Sequence, residues 1–326
     1  MHELRCVPSA PRILVVQTRR LGDVLMATPL LRAIARGLAP SALDVLVEPG
    51  CAAALAGNAH VSALVAASSS RLALARLLRT RRYDLVVDAM GKSTSALLAR
   101  ASGAAVRVGF DDARFSWAYT LRAPRDWVGE YSALEKLRLA AALGLEASDG
   151  RLDLPGRAED RARADAWWAA LGLGDAPAPV AFAPVSRRVE KRWPAERFAW
   201  LAGELASRTG RRLVVFNGPG EAPQVQAVLE RTARRDALVV PGEVLPFASL
   251  PAAMARCAAY VGNDNGLRHV AVGLGLPTLA VFGPPSPANW TPPDAPHHLT
   301  AGGRRAIESV TIDEVTPLVE RFVDLL

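Results

Sequence analysis

Residues 261–283 read Val-Gly-Asn-Asp-Asn-Gly-Leu-Arg-His-Val-Ala-Val-Gly-Leu-Gly-Leu-Pro-Thr-Leu-Ala-Val-Phe-Gly. The apolar run at 260–261 meets a polar, glycine-containing turn, then a helix-length segment, then a second apolar run at 278–282. Short apolar runs separated by helical stretches are the signature of buried parallel strands joined by crossover helices. The same alternation fills the first half, with apolar runs at 13–16, 43–47, 85–87 and 105–108 and helical stretches at 24–38, 52–56, 72–79 and 94–101. The second half repeats it, with runs at 180–183, 213–216, 238–240, 260–261 and 278–282 and helices at 195–207, 222–234, 249–256 and 267–273. The expected class is α/β, with two doubly wound Rossmann-like domains facing a cleft. Residues 144–179 are rich in Gly and Pro around one helical piece, 158–171, which places the domains at 1–174 and 175–326. The C-terminal segment 312–326 has the spacing of an amphipathic helix that packs back on the first domain.

Composition narrows the partners. The chain has 326 residues and a formal net charge of +7, which suits anionic ligands or an acidic membrane face, and equally suits simple solubility. Aromatic residues make up 6%, without the basic–aromatic interleaving of a nucleic-acid surface, so no nucleic-acid partner is expected. The three cysteines, Cys6, Cys51 and Cys257, lack the paired spacing of a zinc site and read as reduced, buried residues of a cytoplasmic protein. No signal peptide is expected, and the charge-free stretch 270–293 is broken by Pro277, Pro284, Pro285 and Pro287, so any membrane contact is peripheral.

Several junctions carry chemistry. Thr18-Arg19-Arg20-Leu21-Gly22-Asp23 follows the first apolar run and opens a helix; Gly22 allows a close backbone approach, and Asp23 is either a helix cap or a general base toward an acceptor hydroxyl. Arg187 to Pro194, including Arg188 and Lys191, is a basic loop ending at a helix start, where it reads as a phosphate site or a solvated loop. In Asn263-Asp264-Asn265-Gly266, the N–H groups of Asn265, Gly266 and Leu267 are candidates to cap a pyrophosphate, and Asp264 to orient them or to bind a sugar hydroxyl. The other reading is an Asx-turn and helix cap. His269 follows within that helix, as a packed core residue or a ligand contact. Glu221, after Asn217-Gly218-Pro219-Gly220, is a candidate ribose acceptor or a helix-dipole carboxylate. No P-loop, no dinucleotide glycine fingerprint, no serine nucleophile elbow and no metal-ligand cluster occurs, so charge on a leaving phosphate falls to Lys, Arg and backbone dipoles.

Three separated motifs then resemble the lipopolysaccharide heptosyltransferases, glycosyltransferase family nine. They are Arg19-Arg20-Leu21-Gly22-Asp23 with Ala27-Thr28-Pro29-Leu30-Leu31; Lys191-Arg192-Trp193-Pro194 with Arg197-Phe198; and Gly262 to His269 with Gly283-Pro284. Residues 130–144 resemble that family's inter-domain helix. The resemblance implies a GT-B fold with an N-terminal acceptor domain and a C-terminal domain for ADP-heptose. It implies inverting, metal-independent transfer of heptose to an anionic, lipid-linked lipopolysaccharide core at the cytoplasmic face of the inner membrane, with no cofactor. Carried over by position, Asp23 is the base, Lys191 the phosphate lysine, Glu221 the ribose acid, and Asp264 and Gly266 the donor loop. Asn265 stands where the family most often has Ser or Thr, and the histidine usual near the start of the inter-domain helix is absent around Gly129-Glu130. A catalytically silent nucleotide-sugar binding module, or a transferase using another nucleotide sugar, are the alternatives.

Overall fold

A computed structural model describes residues 7–125, 129–174 and 176–326. The chain divides into two units, Met1–Asp153 and Leu154–Leu326.

The first unit is built on one parallel sheet. Its strands are β1 (Arg12–Val16), β2 (Ala42–Val47), β3 (Ala63–Ala66), β4 (Leu85–Asp88), β5 (Val106–Phe110) and β6 (Leu121–Ala123). They lie in the order β3-β2-β1-β4-β5-β6. Val16 pairs with both Leu46 and Asp88, so the carboxyl ends of β1, β2 and β4 are level. All four residues of β4 are buried, as a strand covered on both faces requires. The edge strands β3 and β6 are half exposed, and the apolar pattern does not announce them.

The helical stretch expected at 24–38 is two helices, α1 (Leu21–Leu25) and α2 (Thr28–Leu38). Pro29 lacks the N–H that would continue the first helix, and Thr28 Oγ1 instead donates to the Leu25 carbonyl at 2.7 Å. The stretch expected at 52–56 is a 3₁₀ turn over Pro49–Leu55. Helices α3 (Arg71–Thr80), α4 (Ser93–Ala101) and α5 (Ser132–Ala142) complete the unit. The segment that resembles an inter-domain helix is thus α5, which packs on α2 within the first unit.

The second unit opens with α6 (Ala158–Leu171), which corrects the boundary expected at 174. Trp168 Nε1 donates to the Ala253 carbonyl at 2.8 Å, Trp167 Nε1 donates to the Glu243 carbonyl at 2.9 Å, and Trp167 packs on Phe216. These buried indoles tie α6 to the second core. There β7 (Val180–Ala183), β8 (Leu213–Val215), β9 (Leu238–Val239), β10 (Ala259–Asn263), β11 (Thr278–Phe282) and β12 (His298–Gly302) form a second parallel sheet, ordered β12-β11-β10-β7-β8-β9. Renumbered from its own first strand, this is the order of the first sheet. The remaining helices are α7 (Ala195–Thr209), α8 (Ala222–Leu229), α9 (Leu250–Met254), α10 (Gly266–Gly273) and α11 (Ile312–Val323). α11 buries Val315, Val319 and Phe322 and packs on α7 and β12 of its own unit.

Cys51 and Cys257 are buried and form no disulfide, and burial pushes the Cys257 thiol up; Cys6 lies outside the described residues. Among the described residues no helix is long and apolar enough to cross a membrane.

Candidate functional site

In a doubly wound sheet, ligands bind beyond the carboxyl ends of the two strands where the connections reverse direction. In the second unit those strands are β7 and β10. The loop after β7 carries the basic segment and the loop after β10 carries Asp264, so the fold brings two of the three quoted motifs to one place. Lys191 ends a 3₁₀ turn and pairs through Nζ with Asp264 Oδ2; their side chains are 14% and 2% exposed. Trp193 fixes the loop from below. Its backbone N–H donates to Asn263 Oδ1 at 3.1 Å, and its indole N–H donates to the Val310 carbonyl at 2.8 Å. Buried Asn263 keeps a donor, Nδ2, with no hydrogen-bond partner. Gly283 explains why a glycine stands after β11. A Cβ there would sit 2.5 Å from the Glu190 carbonyl oxygen, so the lysine turn rests directly on that backbone. Arg188 is exposed and forms an ion pair with Glu190 beside it in the turn.

Asn265 is the N-cap of α10. Its Oδ1 accepts from the N–H groups of Leu267 (2.9 Å) and Arg268 (3.2 Å) and from the Tyr260 hydroxyl (3.1 Å), and its Nδ2 donates to the Val185 carbonyl at 2.8 Å. This corrects part of the expected pyrophosphate cap: the Leu267 N–H is already taken, and Gly266 supplies the first-turn N–H that the cap leaves. His269 is 4% exposed, and its ring packs 5.6 Å from that of Trp290. Glu221 precedes α8, and its Oε2 accepts from the Gly218 N–H at 2.6 Å, which ties the loop after β8 to itself.

Thr18, Arg19, Gly22 and Asp23 belong to the first unit, after β1. Thr18 accepts the Glu48 N–H through its carbonyl and lies 3.8 Å from the Met90 sulfur; Arg19 pairs with Glu48 at 3.3 Å on the surface. Gly22 is buried as the second residue of α1. Asp23 is the third residue of α1, not its cap, and reaches back to accept the Arg20 N–H at 3.3 Å. α1 is a single short turn, and this bond satisfies the N–H of the residue that precedes it. Beside Asp23 lies a group with no local sequence signal. Lys136 of α5 is 3% exposed and donates from Nζ to Ser132 Oγ at 2.7 Å. Burial pushes its ammonium below the usual lysine range, opposed by the charges of Asp23 and Glu135. Glu135 pairs with Arg125 at 2.8 Å, and that guanidinium stacks 4.2 Å from the centre of the Phe110 ring. At the end of β4, buried Asp88 accepts from the Tyr119 hydroxyl at 2.6 Å, and desolvation holds its carboxyl above the ordinary range.

Residues 71–306 match glycosyltransferase family 9 (heptosyltransferase). The chain belongs to that family. It is a glycosyltransferase, with the two-sheet α/β architecture of its structural neighbours. It is 32% identical over 303 residues to lipopolysaccharide heptosyltransferase 1 of Pseudomonas aeruginosa, covering 85% of this chain and 79% of that protein. A family 9 glycosyltransferase from Veillonella parvula superposes with a TM-score of 0.80 at 23% identity, covering 97% of this chain and 99% of that one. The Escherichia coli heptosyltransferase WaaC with ADP-2-deoxy-2-fluoro heptose superposes with a TM-score of 0.71 at 24% identity, covering 95% and 99%.

Two further residues escape a sequence reading of this family 9 chain. Arg268 is completely buried; its Nη1 donates to the Trp290 carbonyl at 2.7 Å and its Nη2 to Thr291 Oγ1 at 2.8 Å. Trp290 in turn stands with its ring 5.9 Å from Lys191 Nζ. A charged residue inside a helix that is apolar apart from the neighbouring His269 is the signal that could have pointed to Arg268.

Proposed function

We propose that the chain transfers heptose from ADP-heptose to the core of a lipopolysaccharide acceptor, with inversion at the anomeric carbon and without a metal ion. The observation that carries this reading is the Lys191–Asp264 pair at the β7–β10 switch point, a partly exposed cation oriented by a buried carboxylate where a diphosphate would lie. The P. aeruginosa relative bears the name of that activity, and WaaC is described with an ADP-heptose analogue. The second unit holds the donor: Glu221 takes the ribose, and Lys191 and the Gly266 N–H take the diphosphate. Asp264 orients Lys191, while Asn265, Leu267 and His269 shape the loop. The first unit holds the acceptor, with Asp23 as base and Thr18, Arg19 and Gly22 around it.

In the reaction the acceptor hydroxyl gives its proton to Asp23 as its oxygen bonds to the anomeric carbon. The bond from that carbon to the diphosphate oxygen breaks on the opposite face, and ADP leaves with the electron pair. Lys191 offsets the negative charge that develops on the departing oxygen. The net charge of +7 suits a phosphorylated acceptor presented at the cytoplasmic face of an anionic membrane.

The test is mass spectrometry of the full-length protein incubated with ADP-heptose and truncated core, the acceptor displayed in anionic or in neutral vesicles. The expected result is a core one heptose heavier, formed faster on anionic vesicles, and Asp23→Asn slower on the order of a hundred- to ten-thousandfold with donor affinity kept. Binding without transfer by the wild type would identify a silent binding module. Unchanged turnover in Asp23→Asn would remove Asp23 as the base, and equal rates on both vesicles would remove the membrane contact.

A further inference from the structure

The sheet order assigns a direction to any nucleotide sugar bound in the second unit. Glu221 follows β8, which lies on one side of β7; Trp290 follows β11, which lies on the far side of β10. A diphosphate held over β7 and β10 therefore has its two substituents on opposite flanks. With the nucleoside on the β8 flank, the sugar falls on the β11 flank. We propose that Trp290 is the wall of the donor site on which the transferred sugar ring stacks, an inference that rests on the donor assignment made above.

Three observations converge on this residue. Trp290 is half-buried, with its indole 5.9 Å from Lys191 Nζ and 5.6 Å from the His269 ring, so it borders the same lysine that is oriented toward the diphosphate. The loop that carries the ring is fixed from the protein interior: Arg268, itself completely buried, holds the Trp290 carbonyl and the Thr291 hydroxyl with separate guanidinium nitrogens. A fully desolvated guanidinium fixing two consecutive residues of a surface loop gives that loop one conformation at considerable desolvation cost. Finally, the chemistry suits a sugar. A pyranose presents a face of C–H bonds that packs on an indole, and the ring carries positive charge as its bond to diphosphate breaks, which the negative face of an indole stabilises.

The proposal separates Trp290 from the nucleotide-binding residues. Calorimetric titration of wild type, Trp290→Ala, Trp290→Leu and Trp290→Phe with ADP and with ADP-heptose reads the difference. Trp290→Ala and Trp290→Leu should bind ADP as the wild type does but ADP-heptose about three- to tenfold more weakly, and Trp290→Phe should recover most of the loss. Turnover should fall further than donor affinity in the first two, because the ring's charge peaks in the transition state. Neither Arg268 bond involves the Trp290 side chain, so the loop survives each substitution, and Trp290→Leu keeps apolar bulk should Trp290→Ala lower the melting temperature. Equal losses for ADP and ADP-heptose would assign Trp290 to the diphosphate and overturn the proposal; no loss for either would overturn it as well. A wild type that binds UDP and UDP-sugars instead of the adenine pair sinks the ADP-heptose donor, and the ratio of those two affinities across the same variants then decides Trp290 on its own.

Discussion

Lys191 is a residue with two jobs. Its ammonium neutralises Asp264, which is 2% exposed, and under the function proposed above it also meets the leaving diphosphate. Removing it leaves a buried carboxylate uncompensated, an effect worth about 3–5 kcal/mol in comparable buried pairs. Removing one preorganised donor to a developing anion costs on the order of a hundredfold or more in kcat. Lys191→Ala should therefore lose both stability and turnover. Combining it with Asp264→Asn should restore much of the melting temperature and none of the rate; restored turnover would show that Lys191 acts only through folding. Residue-level legibility followed the same division. The placement of Asp23, Lys191 and Asp264 beyond the carboxyl ends of β1, β7 and β10 was readable because each is a charge that follows an apolar run. Lys136, Arg125 and Trp290 were not, because what gives them a role is burial or proximity to residues far away in sequence.

At the scale of elements, the turn carrying Lys191 has no regular structure to hold it. Trp193 anchors one end and Gly283 supports the middle. Gly283→Ala would place a methyl 2.5 Å from the Glu190 carbonyl oxygen, backbone against backbone, so the turn must lift. The expected outcome is a donor KM raised about tenfold or more, since an ångström-scale misplacement of a positioned group costs up to two orders of magnitude. Donor-saturation kinetics check it, with an unchanged KM counting against support by Gly283. The buried strands were legible because both faces are apolar; β3, β6 and β12 were not, because these edge strands are partly exposed. Likewise the hydrophobic period runs through Met26 and Ala27 unbroken, and only the missing N–H of Pro29 separates α1 from α2.

For the whole molecule, the acid limb of stability has an identifiable contributor. His298 at the start of β12 lies against Thr278 of β11 with Nδ1 3.2 Å from its hydroxyl. Burial, with the charges of His297 and Arg268, lowers its pKa to about 3. The unfolded chain thus binds a proton here between about pH 6.5 and 3 that the folded chain refuses, so stability present above 6.5 is lost as pH falls through that window. Melting temperatures from pH 7 to 4 should drop more steeply for the wild type than for His298→Asn; parallel curves would exonerate this histidine. The two-domain plan was legible because the strand–helix alternation occurs twice. The seam was misplaced because glycine and proline around residue 174 look like a linker, whereas the neighbouring indoles Trp167 and Trp168 commit α6 to the second core. Both sheets contain only parallel neighbours among the described strands. Every ladder must consequently wait for a distant stretch of chain to arrive, with no hairpin available as a seed. Folding is expected to be slow for that reason, with strand rims bare until their partners arrive.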